Sequence, residues 1–397
     1  MASKASEARF WLRCLALLMV IFPSWSLSGE GVFTAQASPS SVKFMGTSHS
    51  EVKEGAAQQA DVCQGEFISV SQPLNDLGSG EYIRLETGPT GFSGGLYPNG
   101  SNTPPPAHQA AGLGMAVQVV PRDAQGNPAP DGKIVLISIG MSNTAGEFGR
   151  FEVSARSDDS LNPHLVIING AQGGKVATYW QDPQADAWKF VDSLLAFKRA
   201  TPQQVQVAWV KLTDFDLNDF PEDIQTLQGH LETVARNLKS RYPNLVIAFY
   251  SSRTRAYAYW EGANPEPGAF ETGFAVKWMI EKQIDGDPSL NFDPDSGPVT
   301  APYLAWGPYL WIDGLNPRSD GRVWEPADLK ADCVHPLDAT GKVKVVEQLM
   351  GFFKTDSMAR SWFLADPPDD EPIYLPSIHA LEEQRLHIKA PRKLRRR

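Results

Sequence analysis

A three-layer α/β/α protein built on a mainly parallel sheet, with a small β-rich or irregular lead-in before it, is what this chain of 397 residues predicts. Three observations carry that expectation. From about residue 131 onward, short runs of β-branched residues alternate with longer segments of helical periodicity. The short runs are apolar throughout, not alternately apolar and polar, as in strands covered on both faces. Before residue 131, Gly and Pro break the chain into pieces too short for such alternation.

The elements follow in order. The first strand is 133–139 (KIVLISI), stopped by Gly140 at a sharp turn. The second is 164–169 (HLVIIN), closed by Gly170. A helix over 185–199 places Trp188, Val191, Leu194, Leu195 and Lys198 at helical spacing. The third strand is 205–211 (VQVAWVK). A long helix over 221–240 has Pro in its first turn and an apolar stripe of Ile224, Leu227, Leu231, Val234 and Leu238. The fourth strand is 245–250 (LVIAFY), followed by a helix over 269–283 and a loop rich in Gly, Pro and Asp. Asp285, Asp287, Asp293 and Asp295 in that loop lack the period of an EF-hand and read as a solvated turn region. The last helix, 339–354, carries Val343, Val346, Leu349, Met350 and Phe353 on one face, with Asp338 as its N-cap. In the lead-in, 62–130, strand-like pieces lie at 66–70, 81–85 and 114–120, and the turn cluster 123–132 marks the border with the main domain, 131–365.

Both ends read as extraneous to this fold. Lys4, Arg9 and Arg13 precede an apolar stretch from Cys14 to Phe22 that continues through Trp25 to Leu27. That is a positive n-region and an h-region too short to span a bilayer comfortably, so 1–37 reads as a leader with a small-residue site at Ala35-Gln36-Ala37. An earlier cut near Ser28-Gly29 and a retained anchor are the alternatives. Residues 38–61 read as a polar linker. Residues 366–397 read as a tail whose last thirteen carry seven Lys or Arg and no acid. No other stretch is apolar enough to span a membrane, so a secreted or periplasmic protein is expected. The formal net charge is −10 with that basic tail included, so the body is acidic and a nucleic-acid partner is not expected.

Export would leave Cys63 and Cys333 of the three cysteines. Two cysteines in an exported chain suggest one disulfide; two free, buried thiols are the alternative. The seven histidines show no His-x-x-x-His spacing and the cysteines no Cys-x-x-Cys, so a metal site is not expected.

The chemistry lies at two places. The first strand runs into Gly140-Met141-Ser142-Asn143, which sets Ser142 at the carboxyl edge of a sheet, where open α/β folds keep their ligands. Far downstream comes Asp332-Cys333-Val334-His335-Pro336. Serine is a weak nucleophile that needs a base, and histidine titrates near neutrality. An Asp three residues before it sets the tautomer and steadies the imidazolium.

With these residues in view, the chain resembles the SGNH (GDSL-like) hydrolase superfamily over roughly 133–353, especially its sialate O-acetylesterase-like and carbohydrate-esterase branches. Gly140-Met141-Ser142-Asn143 is similar to that family's first block, and Asp332-x-x-His335 with Pro336 and Gly341 to its fifth. The segment 168–175 (INGAQGGK), with Trp180 behind it, looks like the second block, with Gly174 as the better-aligned glycine. The third block departs from the pattern. Where the family has Gly-x-Asn-Asp, this chain has Ala208-Trp209-Val210-Lys211-Leu212-Thr213-Asp214. The resemblance implies Ser142 as nucleophile, His335 as base and Asp332 as its orienting acid. It also implies oxyanion donors at the Ser142 and Gly174 amides, with Asn143, Thr213 or Lys211 in place of the absent Asn. It implies an SGNH/flavodoxin-like fold, no cofactor, and removal of a small acyl group, acetyl first, from a carbohydrate ester. A simple, lipid or aryl ester is the runner-up substrate.

Two aromatic-rich segments complete the reading. Residues 251–261 and 306–313 should overhang the same sheet edge as Ser142. Arg253, Tyr257, Trp306 and Tyr309, with Arg255, Tyr259 and Trp311, could form a stacking and hydrogen-bonding wall for the substrate; core packing is the competing reading. The altered third block motivates a second class of function, a catalytically degenerate carbohydrate- or surface-binding protein on the same scaffold.

Overall fold

Five strands, all parallel, form the centre of the molecule. The computed structural model describes residues 61–259 and 265–367; the expected leader, the basic tail and all but the last residue of the linker 38–61 lie outside them. A two-stranded antiparallel ribbon comes first, β1 (Glu81–Arg84) and β2 (Gly88–Ser93). The main sheet follows with β3 (Ile134–Gly140), β4 (Leu165–Asn169), β5 (Val205–Lys211), β6 (Ile247–Tyr250) and β7 (Tyr303–Trp306), in the order β4-β3-β5-β6-β7. The longer helices are α1 (Pro106–Ala116), α2 (Ser142–Arg156), α3 (Asp186–Phe197), α4 (Glu222–Arg241), α5 (Gly268–Ile284) and α6 (Gly341–Thr355).

Successive strand residues point to opposite faces, and the core divides accordingly. Val135, Ile137 and Ile139 of β3 join Ala208 and Val210 of β5 under the apolar stripes of α3, α4 and α5. Leu136 of β3 joins Val207, Trp209 and Phe249 on the other face, under Phe148 and Phe151 of α2 and Val345, Leu349 and Phe353 of α6. Every residue of β3 and β5 is buried, which is why both runs are apolar on both faces. The three layers are those expected.

Three local expectations are corrected. Residues 114–120 are not a strand: Pro106 opens helix α1, and His108, Gly112 and Ala116, four apart, bury one face of it. A Cβ on Gly112 would stand 2.6 Å from Tyr303 Cζ, so only glycine lets this helix lie on β7. Residues 66–70 form no strand. Asp338 does not cap α6; Thr340 holds that position and Asp338 pairs with Lys342. Helix α2 and strand β7 were not foreseen, because Gly146 and Gly149 dilute the first and the second is four residues long.

The lead-in packs onto the main core. Val70, Leu74, Tyr82 and Tyr97 share the cluster that contains β3 and β5. Among the described residues no helix is long and apolar enough to cross a membrane.

Candidate active site

The strand order places a topological switch between β3 and β5, since the chain passes outward to β4 and then returns past β3. Gly140 pairs with Lys211 in register, so Ser142 and Thr213 leave the sheet as neighbours. The turn after β3 needs its glycine: a Cβ on Gly140 would lie 2.4 Å from the Thr144 side chain. Met141 is the N-cap and Ser142 the first residue of α2, so Ser142 stands at the amino-terminal end of a helix, where the first N–H groups lack intrahelical partners.

Ser142 Oγ lies 2.7 Å from His335 Nε2, across 193 residues of sequence. His335 Nδ1 lies 2.8 Å from Asp332 Oδ2. The other carboxylate oxygen, Oδ1, accepts the His335 amide at 2.8 Å and the Val334 amide at 3.0 Å. Partial burial works against the Asp332 charge, but these two amides and the imidazole outweigh it and hold the carboxyl below its usual range. The serine hydroxyl, imidazole and carboxylate therefore form one continuous chain of hydrogen bonds.

The loop that bears His335 is braced from several elements. Lys330 N–H donates to His335 O and Cys333 N–H to Lys330 O, which closes the turn on itself. Cys333 takes a positive φ of 60° at its bend. Its sulfur is bonded to Cys63, with Cα atoms 4.8 Å apart, and Cys63 N–H donates to Leu329 O. Tyr257 N–H donates to Cys333 O, and Asn143 Nδ2 to Val334 O at 2.9 Å.

Two of the expected oxyanion donors are corrected. Asn143 is buried, and its amide is committed to Val334 O, so it steadies the histidine loop. Thr213 is fully buried and its hydroxyl donates to Asp214 O at 3.1 Å. Lys211 is excluded as well. Its ammonium is sealed against Glu147 of α2 at 2.6 and 2.7 Å, with both side chains fully buried. Burial brings the Lys211 pKa down to about 8, against the pull of Glu147. The Lys211 carbonyl accepts Thr144 Oγ1 at 2.7 Å, so the altered third block ties β5 to the first turn of α2.

What remains near Ser142 is backbone. Gly173 is its neighbour, since a Cβ built there would lie 4.0 Å from Ser142 Cβ. Gly174 follows with φ +72° and open space around it. Neither amide has a hydrogen-bond partner among the described residues.

The expected substrate wall is also corrected. Arg253, Tyr257, Trp306 and Tyr309 are 1%, 3%, 4% and 6% exposed and belong to the packed interior. Tyr257 donates its hydroxyl to Trp324 O at 2.6 Å, Trp306 Nε1 donates to Leu96 O at 2.6 Å, and Tyr309 Oη accepts Leu74 N–H at 3.1 Å. Arg255 is enclosed as well, donating to Asp313 at 2.6 Å and to Tyr259 Oη at 2.8 Å. Burial lowers the Arg253 pKa, with Glu147 and Glu266 opposing it. Its Nε and Nη1 atoms find no hydrogen-bond partner among the described residues.

A second His–Asp pair, His230 Nδ1 to Asp214 Oδ2 at 2.5 Å, went unread in the sequence because its members lie on α4 and on the loop after β5. Among the described residues no group of three or more His, Cys, Asp or Glu is arranged to hold a metal.

No family profile matches the chain, and no curated protein matches it. Among solved structures the chain is similar to a protein assigned as an SGNH hydrolase from Slackia heliotrinireducens, at 12% identity over 55% of this chain and 98% of that one, with a TM-score of 0.31. It is similar to a protein assigned as an acylhydrolase from Bacteroides fragilis, at 13% identity over 60% and 91%, with a TM-score of 0.33. A family two carbohydrate esterase from Clostridium thermocellum, solved in complex with cellohexaose, matches at 14% identity over 56% and 63%, with a TM-score of 0.32.

Proposed function

We propose that this chain is an exported serine ester hydrolase of SGNH type that removes a small acyl group, acetyl first, from a carbohydrate. The observation that carries the reading is the unbroken contact from Ser142 Oγ through His335 to Asp332 at 2.7 and 2.8 Å. In the reaction His335 Nε2 takes the Ser142 proton as Oγ attacks the acyl carbon. Asp332 keeps Nδ1 protonated and offsets the imidazolium charge. The amides of Ser142, Gly173 and Gly174 receive the oxyanion; losing one such donor typically costs about 3 kcal/mol of transition-state stabilisation. The imidazolium returns its proton to the departing alcohol, and water repeats the sequence on the acyl-enzyme. The Cys63–Cys333 bond supports placement in an oxidising compartment.

The altered third block favours the second reading, a binding protein on a degenerate scaffold, because no side chain there is free to donate to an oxyanion. Hydrolysis of p-nitrophenyl acetate by wild type, Ser142→Ala and His335→Ala separates the two. The enzyme reading expects a loss of at least about 10⁴-fold in either variant. Equal rates at background in all three would leave the binding reading standing.

A further inference from the structure

We propose that Asp214 is a positioning residue for the reaction: it holds the loop after β4 so that the Gly173 and Gly174 amides stay where the oxyanion forms. This deepens the ester hydrolase reading given above and rests on it. The need for such a residue begins in the sequence. Asn143, Thr213 and Lys211 are engaged or enclosed, so the receiving groups are main-chain N–H donors. Two of them sit on consecutive glycines, both exposed, and Gly174 takes a φ of +72°. Glycine has more backbone freedom to lose than any other residue. The direction of these amides therefore depends on where the chain on either side is tied down.

The near side is tied to the turn that bears the serine. Gln172 N–H donates to Gly140 O at 3.0 Å, and its side-chain amide donates to Gly170 O at 3.1 Å and Ala187 O at 2.9 Å. The far side is tied to Asp214. Thr178 donates its N–H at 2.7 Å and its hydroxyl at 2.6 Å to Asp214 Oδ1. His230 Nδ1 lies 2.5 Å from Oδ2; an ionised carboxylate only accepts, so this nitrogen carries the proton. Ala177 N–H donates to Thr213 O at 2.9 Å, one residue before Asp214. The second His–Asp pair therefore joins three elements: the glycine loop, the end of β5 and helix α4.

The tie is strong and its post is firm. Asp214 is buried, and a buried carboxylate is stable only with such donors around it. Helix α4 is held by its buried stripe of Ile224, Leu227, Leu231 and Val234. Two turns beyond His230, Asn237 of the same helix donates to Trp180 O at 3.1 Å and Gln181 O at 2.8 Å. Trp180 itself is fully buried, edge-on to Trp188, so the chain behind the loop stays in the core without Asp214. Loss of the Asp214 carboxylate should then free residues 173–178 and leave the fold in place. Oxyanion donors act because they are aimed before the reaction begins. A misplacement of about 1 Å can cost on the order of 10²-fold in rate.

The test follows p-nitrophenyl acetate hydrolysis and amide hydrogen exchange in the full chain, below the melting point of every variant. Asp214→Ala should lower kcat and kcat/KM together by at least about ten-fold with KM within about two-fold, the mark of an interaction felt only in the transition state. The Ala177 amide, which Asp214 does not itself bind, should exchange at least about ten-fold faster as the loop leaves Thr213. Asp214→Asn should stay within about three-fold of wild type, because its carbonyl oxygen accepts from Thr178 and its amide donates to His230 in the other tautomer. Thr178→Val, at an exposed position that leaves folding intact, should cost about three-fold in kcat through the lost hydroxyl bond. Wild-type turnover in Asp214→Ala with a released loop overturns the proposal, as does lost turnover with Ala177 exchange unchanged; both leave the hydrolase reading in place. Should Asp214→Ala not fold, Thr178→Val decides: kcat equal to wild type overturns the proposal. A wild type that leaves p-nitrophenyl acetate untouched overturns the hydrolase reading and the positioning role with it.

Discussion

The two flanks of Ser142 are built in opposite ways. On the β6–β7 flank, arginines and aromatic rings that follow the strand ends are driven into the interior, where Tyr257, Trp306 and Tyr309 each have a hydrogen-bond partner and Arg253 Nε, Arg253 Nη1 and Arg255 Nε have none among the described residues. On the β4 flank the chain beyond Asn169 stays near the surface, with two glycines, an accessible ring and a trough. The difference comes from the lead-in. Leu74 and Leu96 supply backbone partners to Tyr309 and Trp306, and Phe67 lies against Tyr257. Position at the carboxyl edge of a sheet makes a residue eligible for a site; whether another segment lies over it decides the matter.

If that division is right, substitutions on the closed flank should register in stability and those on the open flank in turnover. The largest stability loss is expected from Lys211→Met, which leaves Glu147 buried and unpaired at a cost of about 3–5 kcal/mol by denaturant titration. The double change Lys211→Met with Glu147→Leu should recover most of that loss, since replacing a buried pair by apolar groups is often neutral. A double variant as unstable as the single one would show that the pair itself, not its desolvation, holds β5 to α2. Next comes the bridge: Cys63→Ser with Cys333→Ser should lower stability by about 2–4 kcal/mol and reduce kcat as the His335 loop loosens. Unchanged kcat would mean that Asn143 and Tyr257 suffice to hold the loop.

Tyr257→Phe should cost about 1–2 kcal/mol, because the Trp324 carbonyl loses its buried donor. Phe215→Ala sits at the other extreme. Phe215 is 46% exposed in the loop after β5, and its removal should change stability by less than about 0.5 kcal/mol. A larger loss would mean that packing of the loop after β5 also supports the fold.

A pH measurement probes the histidine loop between the two flanks. The folded chain holds the Asp332 pKa below its ordinary value near 4, so the unfolded chain binds the proton more readily. Its contribution to stability is present above that ordinary value and is lost as pH falls through the lower folded one. The stability gap between wild type and Asp332→Asn should be constant above about pH 5 and shrink below about pH 4. A gap that stays constant down to about pH 2 would show that the amides of Val334 and His335 do not read the carboxylate charge.

Local chemistry was legible in the sequence wherever covalent neighbours set it. Asp332 and His335 share one tight turn, and Gly140 permits the bend that exposes Ser142, so two short segments name the hydrogen-bonded chain from Ser142 to Asp332. The fully apolar runs of β3 and β5 announce strands covered on both faces. The pairing of Cys63 with Cys333 followed from there being two cysteines beyond the expected leader. Tertiary structure alone decided which polar groups near Ser142 stay available. Thr213, Asn143 and Lys211 have suitable donors, yet partners up to 191 residues away engage or enclose them. The substrate wall failed for the same reason, because its cover comes from residues 210 and 235 positions earlier in the chain. Periodicity and spacing report forces between near neighbours, whereas burial depends on what the rest of the chain lays on top.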